Sequence, residues 1–192
     1  KLGMTRAAIS IIVSDLLGLG LVRESEYQTL PNGGRPPRLL EINPEYGNVI
    51  GIDLGASHVN VLITNVAAQI LYEQEVPIDI AEGPQKILDK VDELVQQGIR
   101  QSGILWDTVL AIGLGVPGPI DSAVGMVISP PIMPGWDRYP IRAVLEERWR
   151  VPVSLNNDAE LGAIGEWAFG AGRGERYIAY IKAGSGIGAG LL

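Results

Sequence analysis

The sequence contains no cysteine, a single histidine and a single phenylalanine among its 192 residues. Without cysteine, a disulfide framework and a thiolate metal site are both excluded, which favours a cytoplasmic protein. No apolar run is long enough to span a membrane, so we predict no membrane partner. Hydrophobic residues still make up 46% of the chain. This fraction is sufficient to bury a sizeable core, and disorder is therefore not expected.

Negative charge dominates the sequence, but it is unevenly distributed. The formal net charge is −7. Residues 1–42 hold five basic and four acidic side chains, whereas residues 43–192 hold ten basic and eighteen acidic ones. Because the second part would repel a polyanion, only the first forty residues are available to nucleic acid.

The first twenty residues predict a helix with one apolar face. Thr5 is a suitable N-cap, apolar residues recur at helical spacing over 9–17, and Gly20 can end the helix in a left-handed turn. The opposite face is small, polar and low in charge, as a helix in a DNA major groove requires. The predicted DNA contacts on this helix are Thr5, Arg6, Ala7 and Ser10.

Two short predicted strands, 21–24 and 39–42, flank a basic turn that is rich in glycine and proline. A helix followed by such a ribbon is the outline of a winged helix-turn-helix, in which Arg35 and Arg38 would reach phosphates or a minor groove. The alternative is a dimerisation or linker segment. Because the sequence lacks the helices expected before Thr5, we interpret the chain as a fragment with the second half of that module.

The order of elements after residue 45 predicts the fold class. Three consecutive strands are followed by alternating helices and strands, with a small hairpin arm over 124–129. The predicted strands are 49–54, 59–65, 69–76, 109–116, 151–155 and 177–181, and the predicted helices are 84–101, 141–149 and 159–169. This order predicts an α/β protein containing the first lobe of an actin-like or sugar-kinase (ribonuclease H-like) fold, with ligands at the carboxyl ends of its strands.

Three predicted turns, Asp53–Ser57, Pro117–Asp121 and Asn157–Asp158, fall at the carboxyl ends of strands in one sheet, and Gly184–Gly190 opens a fourth. Asp53 ends a buried strand before a Gly55-Ala56-Ser57 turn, whose amides could hold a phosphate while the carboxylate holds Mg²⁺. The alternative is a plain β-hairpin with a surface aspartate. Asp158 follows another buried strand, where it could also be a simple helix N-cap. A glycine-rich turn over 183–190 lies between strands and is therefore not a dinucleotide fingerprint.

Taken in order, these motifs resemble the ROK family (repressors, open reading frames and kinases), and within it the repressors with a winged helix before a sugar-kinase-like body. The stretches that carry the resemblance are TRAAISIIVSDLLGLGLVRE, GGRPPRLLEINPE, GIDLGAS, GVPGPID, PGWDRYPI, LNNDAELGAIGEWAFGAGRG and AGSGIGAG. The resemblance implies a partial winged helix-turn-helix over 1–45 and a kinase-like lobe over 46–192. It also implies that the family's zinc motif and second lobe lie beyond residue 192.

The resemblance further implies roles for individual residues. Asp53 would orient Mg²⁺, and Asp158 would be the general base in a kinase member. The implied nucleotide-phosphate contacts are Asp53, Gly55, Ser57, Gly184, Ser185, Gly186 and Gly188. The implied sugar contacts are Gly118, Asn157, Asp158 and Glu166.

Two positions set limits on the resemblance. Ile132 stands where members that bind sugar tightly usually have asparagine, and one missing buried hydrogen bond costs roughly 1–3 kcal/mol. His58, the only histidine, is interpreted as an ordinary strand residue, so we predict no zinc ligand in this chain.

We predict a sugar-responsive repressor that binds operator DNA and a sugar or sugar phosphate and acts as a homo-oligomer (dimer or tetramer). The sequence identifies no cofactor with certainty for this role. The alternatives are an ATP-dependent hexokinase of the glucose or N-acetylglucosamine type, which would use Mg-ATP, and an actin-like scaffold. The repressor is favoured because a kinase has no use for residues 1–42.

Overall fold

The computed structural model describes residues 3–25, 39–184 and 186–192. Its helices are α1 (Arg6–Gly18), α2 (Pro84–Ser102), α3 (Ile141–Trp149) and α4 (Asp158–Phe169). Its strands are β1 (Val22–Ser25), β2 (Leu39–Ile42), β3 (Asn48–Leu54), β4 (His58–Asn65), β5 (Ile70–Pro77), β6 (Val109–Val116), β7 (Ile120–Asp121), β8 (Met126–Val127), β9 (Val153–Asn157), β10 (Ala179–Ala183) and β11 (Ile187–Leu191). The predicted contacts Arg35, Arg38 and Ser185 lie outside the described residues.

A five-stranded sheet in the order β5-β4-β3-β6-β9 forms the centre of the molecule. Strands β3, β4 and β5 pair antiparallel as a meander, whereas β6 runs parallel to both β3 and β9. Parallel neighbours need a crossover connection, and α2 and α3 lie in the two connections. The α/β sugar-kinase-like fold predicted from the order of elements is confirmed.

The core lies against this sheet. Leu88, Val91 and Val95 recur at helical spacing on α2 and are fully buried, because α2 packs on β4 and β5. Trp136 is also fully buried, and its indole N–H donates to the carbonyl oxygen of Ile80 at 3.1 Å. Residues from the middle of the chain therefore form a well-buried apolar core.

The N-terminal elements form a separate, more exposed layer. The Thr5 hydroxyl accepts a hydrogen bond from the amide of Ala8 at 3.3 Å, as the N-cap prediction requires, and Gly20 has the predicted left-handed φ of +73°. Strands β1 and β2 pair antiparallel. No residue of α1 is buried, so its predicted apolar face remains accessible.

Several predicted boundaries differ from the structure by a few residues. The strand predicted at 151–155 is β9, which begins after Pro152, a residue with no N–H to donate, and continues to Asn157. The last predicted strand is displaced to Ala179–Ala183. The arm predicted over 124–129 is instead the pair β7 and β8, with Ile120 opposite Val127. Among the described helices, none is long and apolar enough to cross a membrane.

Candidate functional site

The carboxyl ends of three sheet strands and the β10–β11 hairpin surround a cavity of about 510 Å³. The residues that line it are Gly55, Ala56, Ser57, His58, Pro117, Gly118, Pro131, Ile132, Asn157, Asp158, Lys182, Gly184, Gly186, Ile187 and Gly188. Parallel strands β3, β6 and β9 end at the same edge of the sheet, so turns distant in sequence meet here. The cavity contains most of the sugar and phosphate contacts predicted from the sequence.

Asp53 borders this cavity and contacts two residues that line it. Its Oδ2 atom lies 3.4 Å from Lys182 Nζ and 3.7 Å from His58 Nε2. Its Oδ1 atom is buried and has no hydrogen-bond partner among the described residues. One oxygen of Asp53 therefore lies close to the Lys182 ammonium group, and the other has no hydrogen-bond donor among the described residues.

Gly55, in the turn after β3, lies directly against the His58 ring. A Cβ atom on Gly55 would lie 2.4 Å from the His58 ring, and the Gly55 amide donates to the His58 carbonyl oxygen at 2.9 Å. His58 begins β4, as an ordinary strand residue would, but its ring also lines the cavity. Sequence reasoning missed this second property of His58.

Asn157 connects two turns at the edge of the cavity. Its amide group donates to the Gly118 carbonyl oxygen at 3.0 Å, while its Oδ1 accepts from the amides of Ala159 and Glu160. Gly118 has a φ of +92°, which favours glycine. The N-cap of α4 is thus Asn157, and the alternative that made Asp158 the N-cap is wrong.

Asp158 is the first residue of α4, and its side chain is only 11% exposed. Its Oδ2 accepts a hydrogen bond from Lys182 Nζ at 2.8 Å. The small residues of α4 let β11 approach closely, since a Cβ atom on Gly190 would lie 2.3 Å from the Ala159 carbonyl oxygen. This contact fixes the hairpin, and with it Lys182, beside Asp158.

Lys182 is a site residue that the sequence analysis did not identify. Burial by itself lowers the pKa of its ammonium group, but the hydrogen bond to Asp158 and the charges of Asp53 and Asp158 outweigh burial, so the pKa is raised. The available signal was weak. Lys182 is the only lysine after Lys90, and it lies two residues before Gly184 in the second glycine-rich turn.

The arrangement does not fit the magnesium ion predicted at Asp53. Magnesium needs an octahedral shell of oxygen atoms. In proteins it is usually held by one or two carboxylates together with water molecules and substrate phosphates. The ammonium group of Lys182 lies between the Asp53 and Asp158 carboxylates instead, and its charge opposes a second cation there.

Two other predicted sugar-site positions have contrasting locations. Glu166 is absent from the cavity lining, and its Oε2 accepts a hydrogen bond from the Ala171 amide at 2.8 Å, at the far end of α4. Ile132 does line the cavity, so the position expected to affect sugar affinity is an apolar part of the wall.

The predicted DNA contacts on α1 lie together at its amino-terminal end. Arg6, Ala7 and Ser10 are exposed, and the Ser10 hydroxyl donates to the Arg6 carbonyl oxygen at 3.0 Å. The Thr5 hydroxyl caps the helix, which places Thr5 beside the same exposed surface. This surface is small and weakly charged, as predicted.

Comparison with known proteins places these features in one family. The sequence model of the ROK family matches residues 49–192. The chain is 31% identical over 189 residues to a xylose repressor of Caldicellulosiruptor bescii, covering 98% of this chain and 47% of that protein. It therefore spans about half the length of the curated relatives it matches.

Two solved structures show how far the similarity extends along the chain. A ROK family transcriptional regulator, a homologue of the E. coli MLC protein, matches 98% of this chain and 47% of its own, with a TM-score of 0.73 and 22% identity. A ROK family glucokinase from Streptomyces griseus, in complex with glucose and AMPPNP, matches 76% of this chain and 44% of its own, with a TM-score of 0.65 and 28% identity.

Proposed function

Because this chain belongs to the ROK family, we propose that it is part of a sugar-responsive transcriptional repressor. The observation that carries this proposal is the extent of the similarity. The xylose repressor and the MLC homologue match 98% of the chain, including the helix and ribbon before residue 45, whereas the glucokinase matches 76%. The segment that the glucokinase match leaves uncovered has the size of the predicted DNA-binding module.

The division of labour follows the predicted domains. Residues 1–45 contact operator DNA through Thr5, Arg6, Ala7 and Ser10 on α1, with Arg35 and Arg38 of the wing on the backbone or in a minor groove. Exposed short side chains on α1 support this role, because they let the helix approach base edges.

Residues 46–192 bind the sugar or sugar phosphate in the cavity. The Asp158 carboxylate accepts hydrogen bonds from sugar hydroxyls, and Asn157 holds the Gly118 turn in place, since its amide already bonds that turn. Gly55, Ser57, Gly184, Ser185, Gly186 and Gly188 offer backbone and hydroxyl groups to any phosphate. Glu166 would have to leave its bond to Ala171 in order to contact the same ligand.

The sugar changes DNA binding by altering the distance between paired recognition helices. Sugar binding shifts the two lobes or two subunits of a cytoplasmic dimer or tetramer, and this changes the distance between paired recognition helices on a palindromic operator. No cofactor is required for such a response.

A gel-shift titration of the complete protein on its own upstream DNA tests this proposal. We expect binding that D-xylose or another pentose or hexose weakens. Arg6→Ala should weaken binding by roughly 1–3 kcal/mol if Arg6 reads a base. Arg100→Ala, a control in the last turn of α2, should leave binding unchanged. Failure to shift the DNA at every salt concentration would end the proposal.

The second candidate function is an ATP-dependent hexokinase acting on glucose or N-acetylglucosamine. The specific observation in its favour is that the Streptomyces griseus glucokinase matches 76% of this chain, and that Asn157 and Asp158 both line the cavity. Mg-ATP would be needed for this activity alone. In a coupled assay with several hexoses, turnover that Asp158→Asn abolishes would favour the kinase over the repressor.

A further inference from the structure

Lys182 occupies the central position among the charged groups of the site. Three elements bring these groups together: Asp53 near the end of β3, Asp158 at the start of α4, and Lys182 in β10. The ammonium nitrogen lies 2.8 Å from Asp158 Oδ2 and 3.4 Å from Asp53 Oδ2. One side chain therefore contacts both carboxylates that the resemblance assigns to metal binding and proton transfer.

We infer that Lys182 is the resident cation of this site, so that Asp53 and Asp158 act in ligand binding without a divalent metal. The inference rests on the proposed sugar-binding role of the cavity. It adds that the cavity is organised by an internal ion pair and not by a magnesium–nucleotide complex.

Charge and geometry support this assignment. Two neighbouring carboxylates repel each other when no cation lies between them, and Lys182 supplies that cation from within the chain. Its Nζ atom is within hydrogen-bonding distance of both carboxylates, and its side chain is 30% exposed, so a third N–H remains for a ligand oxygen. A divalent ion on Asp53 would have to approach this ammonium group closely, and like charges oppose that approach.

The same contact leaves Asp158 able to bind a ligand. Its Oδ2 atom accepts a hydrogen bond from the Lys182 ammonium group, and its Oδ1 atom accepts one from the Ala159 amide. Each carboxylate oxygen can still accept a further hydrogen bond from a sugar hydroxyl. The site is thus suited to binding a ligand that carries hydroxyl groups.

Manganese binding to the full-length protein tests the inference. The probe is Mn²⁺ alone, and the readout is the electron paramagnetic resonance signal of the unbound Mn²⁺. We expect Lys182→Met to gain one Mn²⁺ site per chain, at least tenfold tighter than any site at this position in the wild type. Adding Asp53→Asn to that variant should remove the site. Lys182→Arg, which keeps the charge, should exclude Mn²⁺ as the wild type does.

Two comparisons can overturn the inference. A wild-type Mn²⁺ site that Asp53→Asn alone removes would contradict it, and this comparison remains valid even if Lys182→Met does not fold. Lys86→Met is the matched control. Lys86 is an exposed lysine of α2 that pairs with Glu82, and its replacement should not alter Mn²⁺ binding.

A sugar titration separates this inference from the proposed function. If D-xylose binds, its affinity should agree within twofold with and without added MgCl₂, and a requirement for Mg²⁺ would overturn the inference. If the protein neither shifts DNA nor binds any sugar, the proposed function fails, while the Mn²⁺ result still decides the role of Lys182.

Discussion

The central sheet and two outer layers, α1 and the β10–β11 hairpin, contain similar apolar residues that differ in how far they are buried. In the centre, side chains on β3, β4, β6 and α2 are fully buried. In the outer layers, α1 and the β10–β11 hairpin leave comparable residues accessible: Ile11 is 63% exposed and Ile187 is 87% exposed. Both proposed binding surfaces involve these outer layers, since α1 carries the proposed DNA contacts and the hairpin carries Lys182.

This difference shows what an apolar pattern can and cannot indicate. Period and spacing identify the type of element in both regions. They do not identify the partner that covers an apolar face, because a partner distant in sequence leaves no local signal. Stability should therefore depend mainly on the centre, and ligand response on the outer layers.

The largest expected effect tests the centre against α1. Trp136→Ala should lower the free energy of unfolding by about 3–5 kcal/mol, because it opens a cavity and removes the indole hydrogen bond to the Ile80 carbonyl oxygen. Ile11→Ala, at an exposed position of α1, should stay within about 0.5 kcal/mol. Urea unfolding of the full-length protein, followed by far-ultraviolet circular dichroism, measures both, and equal losses would remove the distinction between the regions.

The next prediction concerns a tight backbone contact between the outer hairpin and α4. Gly190→Ala should destabilise the protein by about 1–3 kcal/mol, because its Cβ would lie 2.3 Å from a backbone oxygen of α4. It should also weaken sugar binding, since the displaced helix begins at Asp158 and is capped by Asn157. Gly113→Ala is the matched control in β6, where a Cβ would meet nothing within 4 Å. A tolerated Gly190→Ala would mean that the hairpin is not fixed through this contact.

Sequence reasoning was most successful where the physical signal is local. Thr5 and Gly20 have the predicted capping geometry because both depend on a few neighbouring backbone groups. The cavity could also be anticipated, because the carboxyl ends of parallel strands share one edge of a sheet.

The remainder depended on contacts between distant segments. The ion pair of Lys182 with Asp53 joins residues 129 positions apart, and no local pattern encodes it. The cap of α4 was missed for a smaller reason. Asn157 and Asp158 are adjacent and both are good caps, so only the backbone conformation distinguishes them.

A smaller effect should follow from the cap itself, which lies between the two regions. Asn157→Ala should cost about 0.5–2 kcal/mol, because the Glu160 amide loses its side-chain acceptor and the Ala159 amide keeps only its bond to Asp158. Asn157→Asp keeps an acceptor oxygen but cannot donate to Gly118, so it should retain most of the stability and lose sugar affinity. Thermal unfolding and sugar titration of both variants measure the two effects. If Asn157→Asp is as unstable as Asn157→Ala, the amide bond to Gly118 matters more than the cap.

The smallest expected effect on stability comes from removing an exposed ion pair that connects α2 and α3. Hydrogen bonds from Gln85 and Arg148, together with the Arg148 charge, lower the pKa of Asp89 from its ordinary value of 3.8. A lowered pKa in the folded state means that the ionised form stabilises the protein above pH 3.8, and that this contribution is lost as pH falls through the folded-state pKa. Asp89→Asn should therefore lower the urea midpoint slightly at pH 7.

Acidification provides the decisive comparison for Asp89. The difference between wild type and Asp89→Asn should shrink towards zero as the pH falls from 3.8 through the lower folded-state pKa of Asp89, because below that pKa both side chains are uncharged. High salt should also reduce it, since Asp89 is exposed. Glu41→Gln is the counterpart in the outer layer, where Glu41 pairs with Arg23. If the Asp89 difference grew on acidification, the hydrogen bonds from Gln85 and Arg148 would not favour the charged carboxylate, and the electrostatic link between α2 and α3 would have to be discarded.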